Sequence, residues 1–383
     1  MDTTAATVSR GKTLVVEGDS AVALAASGSR GGGTGGSITV LIPAHNEEGQ
    51  IADAIAGLRA QTRAVDKIIV VSDNCTDATE QIAARAGAEV FRTRCNSGKK
   101  AGALNQALRE FLLGAGDDDL VLVQDADTVL VPRFVEVGRQ RLTPAAGAVG
   151  GVFYGARGGG VLGFFQRSEF ARYAREIDRK DQVAVLSGTA ALFRAATLRH
   201  VVRARAAGTL PGGTGVYDPN AFTEENELTL ALKTLGYHPV SPGECRVVTE
   251  VMPTLPKLWK QRVRWQRGAL ENLRTYGWTR TTRPYILRQI AMAASVISLA
   301  LYVAYTMACW ALAGHVAVSV PWMIIGLLFA AERVVTVRRA GPAAMLVAGP
   351  LLIELAYDLF QHAVYVSCVA GALRNGKQHW AAT

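Results

Sequence analysis

Between Ile290 and Ala313 lie 24 residues without a charged side chain. At about 1.5 Å of rise per residue, a helix of that length crosses a hydrocarbon layer of roughly 30 Å. A purely soluble fold has little use for such a segment, so this 383-residue chain reads as membrane-attached. The charge distribution agrees. Of a net charge of +9, most sits just before the apolar run, where Val251 to Ile290 holds nine basic residues against one acidic. Anionic headgroups and the positive-inside bias select a basic juxtamembrane segment, whereas a nucleic-acid binder carries its charge on a domain face with interleaved aromatics. Membrane lipids are therefore the expected partner, and nucleic acid is not. Two more apolar runs follow, Val316 to Ala331 and Gly341 to Leu373, the second interrupted by Pro350. They give two or three spans, with the third the one that Pro350 can split. Glu354, Asp358 and His362 recur every fourth residue in that third run, and ionisable groups at such depth line a polar route or meet a partner helix.

The rest of the chain divides by composition. Residues 1–36 end in a glycine-rich stretch and read as a flexible tail without a convincing signal or anchor, which leaves the globular part on the cytoplasmic side. Residues 37–250 alternate short β-branched runs with helix-like stretches. The runs at Ile38–Ile42, Lys67–Val71, Glu89–Phe91 and Leu120–Val123 predict a parallel sheet of βα units, an α/β domain. Residues 251–289 mix Trp259, Trp265 and Trp278 with arginines and lysines, as amphipathic interface helices do. Residues 290–373 form the expected transmembrane helix bundle, and 374–383 a tail. The five cysteines are widely spaced, with no CxxC pair, which fits reduced thiols.

The loops after the strands carry the candidate chemistry, since ligands of open α/β sheets bind beyond the carboxyl ends of the strands. Asp125 and Asp127 follow the fourth run. Two carboxylates at i and i+2 can share a hard divalent cation that bridges nucleotide phosphates. Asp73 follows the second run and can accept hydrogen bonds from a base or ribose, while Thr76 or Asp77 caps the next helix. Asn96-Ser97-Gly98-Lys99 precedes a helix, a start that suits a diphosphate. Pro43, His45 and Glu47 close the first run, and no acid–base role is assigned to His45.

Taken in order, Val40 to Glu48, Val71 to Asp77, Asn96 to Lys99, Asp125-Ala126-Asp127, Thr223-Glu224-Glu225 and Gln261-Arg262-Val263-Arg264-Trp265 resemble the membrane-bound family 2 glycosyltransferases, the group of cellulose, chitin, hyaluronan and poly-N-acetylglucosamine synthases. The resemblance runs from about Val40 to Gly268. It implies a GT-A (Rossmann-like) fold, a UDP-sugar donor and a Mg²⁺ or Mn²⁺ ion. By position, Pro43, His45, Glu47, Asp73 and Lys99 belong to the nucleotide side, Asp125 to the ribose, phosphate and metal, and Asp127 to the metal. Glu225 stands where the family's general base is usually Asp, with Glu224 as its rival, and its extra methylene shifts the carboxylate by about one carbon–carbon bond. Gln261, Arg264 and Trp265 match the motif in which Arg faces the pyrophosphate and Trp stacks on the acceptor sugar; a guanidinium fork and an indole face suit those tasks. Gly188 and Thr189 resemble the acceptor-side turn.

The implied protein is an inverting, metal-dependent hexosyltransferase of the inner (plasma) membrane, acting on a glycan or lipid-linked acceptor in polysaccharide biosynthesis. So few spans imply a small channel, hence a homo-oligomer, an export partner or a short product. The rivals are a polyprenyl-phosphate sugar synthase, against which Gln261 to Trp265 count, and a non-catalytic nucleotide-sugar-binding membrane protein, for which Glu225 is the sole support.

Overall fold

The computed structural model describes residues 6–8, 12–14, 36–180, 183–314, 320–337 and 352–373. It divides into two compact units, Met1–Pro253 and Thr254–Thr383. Within the expected N-terminal tail, β1 (Ala6–Val8) and β2 (Lys12–Leu14) pair as a short antiparallel hairpin.

The first unit is built on a six-stranded sheet. Its strands are β3 (Ile38–Ala44), β4 (Lys67–Ser72), β5 (Glu89–Arg92), β6 (Leu120–Gln124), β8 (Ala148–Gly150) and β10 (Ala190–Arg194), in the order β5-β4-β3-β6-β10-β8. The first four are parallel, and β10 runs antiparallel between β6 and β8. Central strands are covered on both faces, so their sequences read as continuous apolar runs. Ile38, Val40, Leu41 and Ile42 of β3 and Val121 and Leu122 of β6 are all fully buried, each worth about 1.5–3 kcal/mol against exposure.

Helices α1 (Ile51–Arg59), α2 (Thr79–Arg85) and α3 (Lys99–Gly114) make the crossovers. The chain runs outward from β3 through β4 to β5, then returns to place β6 on the other side of β3. This reversal opens a crevice beyond the ends of β3 and β6, at Ala44 and Gln124. A second sheet, β7 (Val129–Leu130), β11 (Arg246–Thr249) and β9 (Val152–Gly155) in the order β7-β11-β9, is mixed. The remaining helices of this unit are α4 (Phe134–Arg141), α5 (Gly160–Lys180), α6 (Ala195–Ala206) and α7 (Glu224–Thr234).

The second unit comprises α8 (Leu255–Tyr276), α9 (Arg283–Ala313), α10 (Val320–Val337) and α11 (Leu352–Leu373). Pro256 at the start of α8 and Pro284 at the start of α9 sit where a missing N–H costs nothing. α8 packs along α11, with Trp259 edge-on to Phe360 at 5.7 Å and the Cys368 thiol 3.6 Å from the Val263 carbonyl. Tyr365 donates to the Gln289 carbonyl at 3.0 Å, tying α9 to the pair.

The expected boundary at residue 289 is not an element boundary. Arg283 to Ala313 is one helix of 31 residues, because nothing between Pro284 and Gly314 interrupts it. Its segment Arg283–Leu312, none of it buried, is the one described helix long and apolar enough to cross a membrane. The expected bundle of two or three spans is thus supported in one helix only. Pro350 lies outside the described residues, as does the Glu354 side chain; Asp358 and His362 are half-buried on α11.

Candidate active site

Three loops at the carboxyl ends of β3, β4 and β6 surround the crevice, and side chains of the first two hold each other. Asn46, in the left-handed region at φ 59°, accepts from the Thr76 amide at 2.8 Å. Asp77 accepts from the Glu48 amide at 3.1 Å and from the Thr79 amide at 3.0 Å, so it caps the start of α2 while binding the first loop. Exposed His45 donates through Nδ1 to the Asp73 carbonyl at 2.6 Å. The Asp73 carboxylate is half-buried and accepts at Oδ1 from Thr93 Oγ1 at 2.8 Å and Asn74 Nδ2 at 3.0 Å. Pro43 is the penultimate residue of β3, paired with Val71.

The central feature is an ammonium among carboxylates. Lys100 Nζ lies 2.7 Å from Asp125 Oδ1, within hydrogen-bonding contact of Glu225 Oε1, and 3.9 Å from Glu224 Oε1. Burial opposes the charge on Lys100, but Asp125, Glu225 and Glu224 outweigh it and hold its pKa well above the usual lysine value. One side chain thereby joins the end of β6 to the first turn of α7, the two sides on which a donor and an acceptor were expected. Lys99, the residue expected at the nucleotide, is exposed. It adopts φ 53° at the first position of α3, and burial lowers its pKa.

The acidic residues crowd one another. Burial pushes the Asp125 carboxyl up to about 6 against the pull of Lys100, with Asp127 and Glu225 adding to the rise. Burial also raises Asp127, whose Oδ1 accepts from Thr128 Oγ1 at 3.0 Å. Glu47 is pushed up to about 7 by burial, then by the charges of Asp127, Asp125, Glu250 and Asp77. Glu250, which sequence reasoning missed, accepts from Gln50 Nε2 at 3.3 Å and bears on both Glu47 and Asp127. Among the described residues no three acidic, His or Cys side chains converge as a preformed metal cage. A divalent cation here would draw on Asp125 and Asp127 and complete its shell from a ligand. Hard carboxylate donors whose protonation is favoured by mutual repulsion suit Mg²⁺ or Mn²⁺.

The turn expected on the acceptor side, at Gly188 and Thr189, lies against the end of β6. Thr189 follows the antiparallel register of β10 on β6, and its carbonyl accepts from the Asp125 amide at 3.0 Å. Ser187 and Thr189 share a hydroxyl–hydroxyl hydrogen bond. Gly188 packs on the base candidate. A Cβ built there would lie 2.7 Å from the Glu225 carboxyl carbon and from its Oε1, so no other residue fits without moving it.

Behind the cleft, α7 is anchored by a buried pair. Arg205 Nη2 donates to Glu227 Oε2 at 2.6 Å and to the Val216 carbonyl at 3.1 Å, and Arg205 also reaches the Pro211 carbonyl. Thr229 Oγ1 donates to the Glu225 carbonyl at 2.6 Å and accepts from the Leu186 amide at 3.0 Å, linking α7 to the acceptor turn. Tyr217 is fully buried against this cluster, where burial, then the charges of Glu225, Glu224 and Asp125, hold its phenol far above the ordinary value against the opposing pull of Lys100. Asn105 clamps the Tyr217 backbone, its Oδ1 accepting from the amide at 2.9 Å and its Nδ2 donating to the carbonyl at 2.8 Å.

Against known proteins, residues 39–202 match the family model described as glycosyl transferase family 2. These residues form a family 2 glycosyltransferase domain. The poly-beta-1,6-N-acetyl-D-glucosamine synthase of Staphylococcus aureus (strain MSSA476) is 27% identical over 246 residues, covering 62% of this chain and 55% of that protein. The same-named protein of Staphylococcus epidermidis is 26% identical over 253 residues, covering 63% and 57%. The chain thus spans about half the length of these curated relatives. Among solved structures, the mannosyltransferase PcManGT from Pyrobaculum calidifontis, in complex with GDP-Man and Mn²⁺, aligns with TM-score 0.56 at 18% identity over 88% of this chain and 86% of that one. That likeness is one of fold, the α/β GT-A glycosyltransferase fold.

The expected site residues divide between the two units. Gln261, Arg264 and Trp265 lie on α8 in the second unit, at i, i+3 and i+4 and hence on neighbouring positions of one helical face. Gln261 accepts from Arg262 Nη1 at 3.0 Å, and the Arg262 guanidinium lies 4.4 Å from the Trp265 ring, which is 37% exposed. Arg264 Nε is buried without a partner among the described residues.

Proposed function

We propose that this chain is an inverting, metal-dependent glycosyltransferase that moves a sugar from a UDP-sugar to a hydroxyl of a glycan or lipid-linked acceptor at a membrane. The observation that carries this reading is the Lys100 ammonium held between Asp125 and Glu225. It brings a nucleotide-side carboxylate and a base candidate within reach of one cation, the separation needed where a diphosphate leaves one face of a sugar carbon as a hydroxyl attacks the other.

Each side chain then has a task. Asp73 accepts hydrogen bonds from the uracil, and Asp125 and Asp127 hold the metal. A Mg²⁺ or Mn²⁺ ion would supply positive charge to the diphosphate when bound. Glu225 accepts the proton of the attacking hydroxyl, while Gly188 and Thr189 let the acceptor approach the backbone. Lys100 meets the charge of the leaving diphosphate. Trp265 offers its exposed ring to an acceptor sugar. The basic residues flanking α9 favour a cytoplasmic catalytic domain with α9 crossing the membrane, and the likeness to poly-beta-1,6-N-acetyl-D-glucosamine synthases supports polysaccharide synthesis as the setting.

The test is nucleotide release by the purified protein in nanodiscs, with a panel of UDP-sugars and GDP-mannose, with Mn²⁺ or Mg²⁺ and with EDTA. Turnover of one UDP-sugar that needs metal and fails in Glu225→Gln is expected. Turnover of GDP-mannose alone corrects the nucleotide. Persistence of full activity in Glu225→Gln removes Glu225 as the base.

A further inference from the structure

A cavity of about 280 Å³ lies in the first unit, away from the acidic cleft, between α3, α6 and the chain that leads from α6 to α7. Its floor is apolar, with Leu108 and Val216 fully or almost fully buried and Leu112 and Val202 beside them. Its lining holds three arginines and no acidic residue. Arg199 is committed to Asp117 at 2.7 Å and to the carbonyls of Leu112 and Ala115. Arg109 and Arg203 are exposed, and neither guanidinium makes an ion pair or hydrogen bond with any described residue. Two free guanidinium groups at the rim of an apolar hollow match a small organic anion, with phosphate or carboxylate on the forks and an apolar body on the floor.

The cavity also shares parts with the wall of the cleft. Asn105 lines it and clamps both backbone polar groups of Tyr217, and Thr214, Gly215 and Val216 form one side of it. The Val216 carbonyl is held by Arg205, the residue that anchors α7 through Glu227. Space at Gly215 is fully used, since a Cβ there would come within 2.5 Å of the Asn105 amide. Any occupant therefore presses on the segment that ends in Tyr217. We propose that this cavity is a binding site for a small organic anion, a phosphate or carboxylate on an apolar body, whose occupancy fixes the 214–217 segment and with it Tyr217 in the wall of the cleft.

The test uses the full chain in nanodiscs with phenyl phosphate as probe, titrated calorimetrically with UDP and Mn²⁺ saturating so that the cleft is closed to it. Inorganic phosphate and phenol are the arms that carry only the anion or only the apolar body. Phenyl phosphate is expected to bind more tightly than either, in the millimolar range or below, and to lose about tenfold or more in affinity in Arg109→Ala/Arg203→Ala. That double variant is expected to keep the wild-type melting temperature, both side chains being exposed. Hydrogen exchange supplies the second readout, free of any assumption about catalysis: the amides of residues 214–217 should slow when the probe binds. Equal affinity in the double variant, or no binding at millimolar probe, overturns the site. Binding without slowed exchange at Tyr217 overturns its connection to the cleft. Failure of either leaves the transferase assay untouched, so the two readings fall separately.

Discussion

Adding one methyl group at Gly188 should silence the enzyme while leaving the fold standing. The built Cβ lies 2.7 Å from the Glu225 carboxyl carbon, whereas ordinary contact begins at 3.4 Å, so the carboxylate must retreat by at least the difference, 0.7 Å. Its retreat is constrained on the other side by Lys100, which is bound at once to Asp125. Displacements approaching 1 Å at a reacting group cost about 10²-fold in rate, and Gly188→Ala is expected to lower kcat by that order. The cost in stability should stay within about 1–3 kcal/mol, the range for overpacking that a neighbour can partly absorb. The decisive comparison is the double variant Gly188→Ala/Glu225→Asp. Aspartate is shorter by about 1.5 Å, one carbon–carbon bond, which vacates the space the methyl needs. Activity should therefore recover relative to Gly188→Ala alone, a positive coupling between neighbours in a double-mutant cycle. Nucleotide release measures the rate, and thermal denaturation guards against misfolding. Full activity in Gly188→Ala, or strictly additive losses in the double variant, refutes the argument that Gly188 exists to seat the Glu225 carboxylate.

Lys100→Met is expected to reduce turnover by at least about 10²-fold, and Lys99→Met by less than about threefold; equal losses would return the role to Lys99. Glu227→Ala strands Arg205, whose Nε already lacks a partner. Loss of one partner of a buried pair costs about 3–5 kcal/mol, so chemical denaturation should reveal a loss of that size, and one below about 1 kcal/mol contradicts the anchoring role. Glu47 has a folded pKa raised from 4.5 to about 7. A raised carboxyl binds more protons folded than unfolded, so its contribution to stability is present at acid pH and fades as pH rises from about 4.5 through 7. Melting temperatures without metal should fall over that window, and Glu47→Gln should flatten the slope. Added Mn²⁺ should stabilise most at the alkaline end, where the carboxylates are ionised; a slope identical in wild type and Glu47→Gln rejects Glu47 as its source.

The parallel core was legible because burial on both faces leaves unbroken apolar runs. The expected strands at Ile38, Lys67, Glu89 and Leu120 each begin where the structure begins them, and end one or two residues further on. The second sheet was not legible. β7 has two residues, and β9 and β11 have four each, one of them Gly155. Runs so short have no period of their own, and it is pairing across about a hundred residues of sequence that makes them strands. Glu250 was hidden for the same reason: it enters the acidic cluster because the antiparallel register of β11 on β7, with Val248 opposite Val129, carries the residue after β11 towards Asp127. Tyr217 and Asn105 belong to no polar strand-end loop, and contact alone brings them together.

Lys99 and Lys100 mark the limit of motif reading most sharply. A motif names a residue type near a helix start, but adjacent positions on a helix point about 100° apart, so the phase of the helix decides which lysine enters the cleft. Here the phase is set by the turn before it. Asn96 accepts from the Gly98 amide at 2.9 Å and donates to the Lys99 carbonyl at 2.8 Å, and it occupies the space that a Cβ on Gly102 would need. Lys99 is forced into the left-handed region as the helix begins, and the next residue takes the inward direction. Replacing Gly102 with Ala would put a Cβ 2.1 Å from Asn96 Oδ1 and displace that turn. If the phase argument is right, Gly102→Ala should impair turnover although residue 102 touches none of the carboxylates, and Asn96→Gly, which frees the space, should restore part of it in the double variant. Unchanged activity in Gly102→Ala would mean that Lys100 finds the cleft by its own reach, without help from the turn.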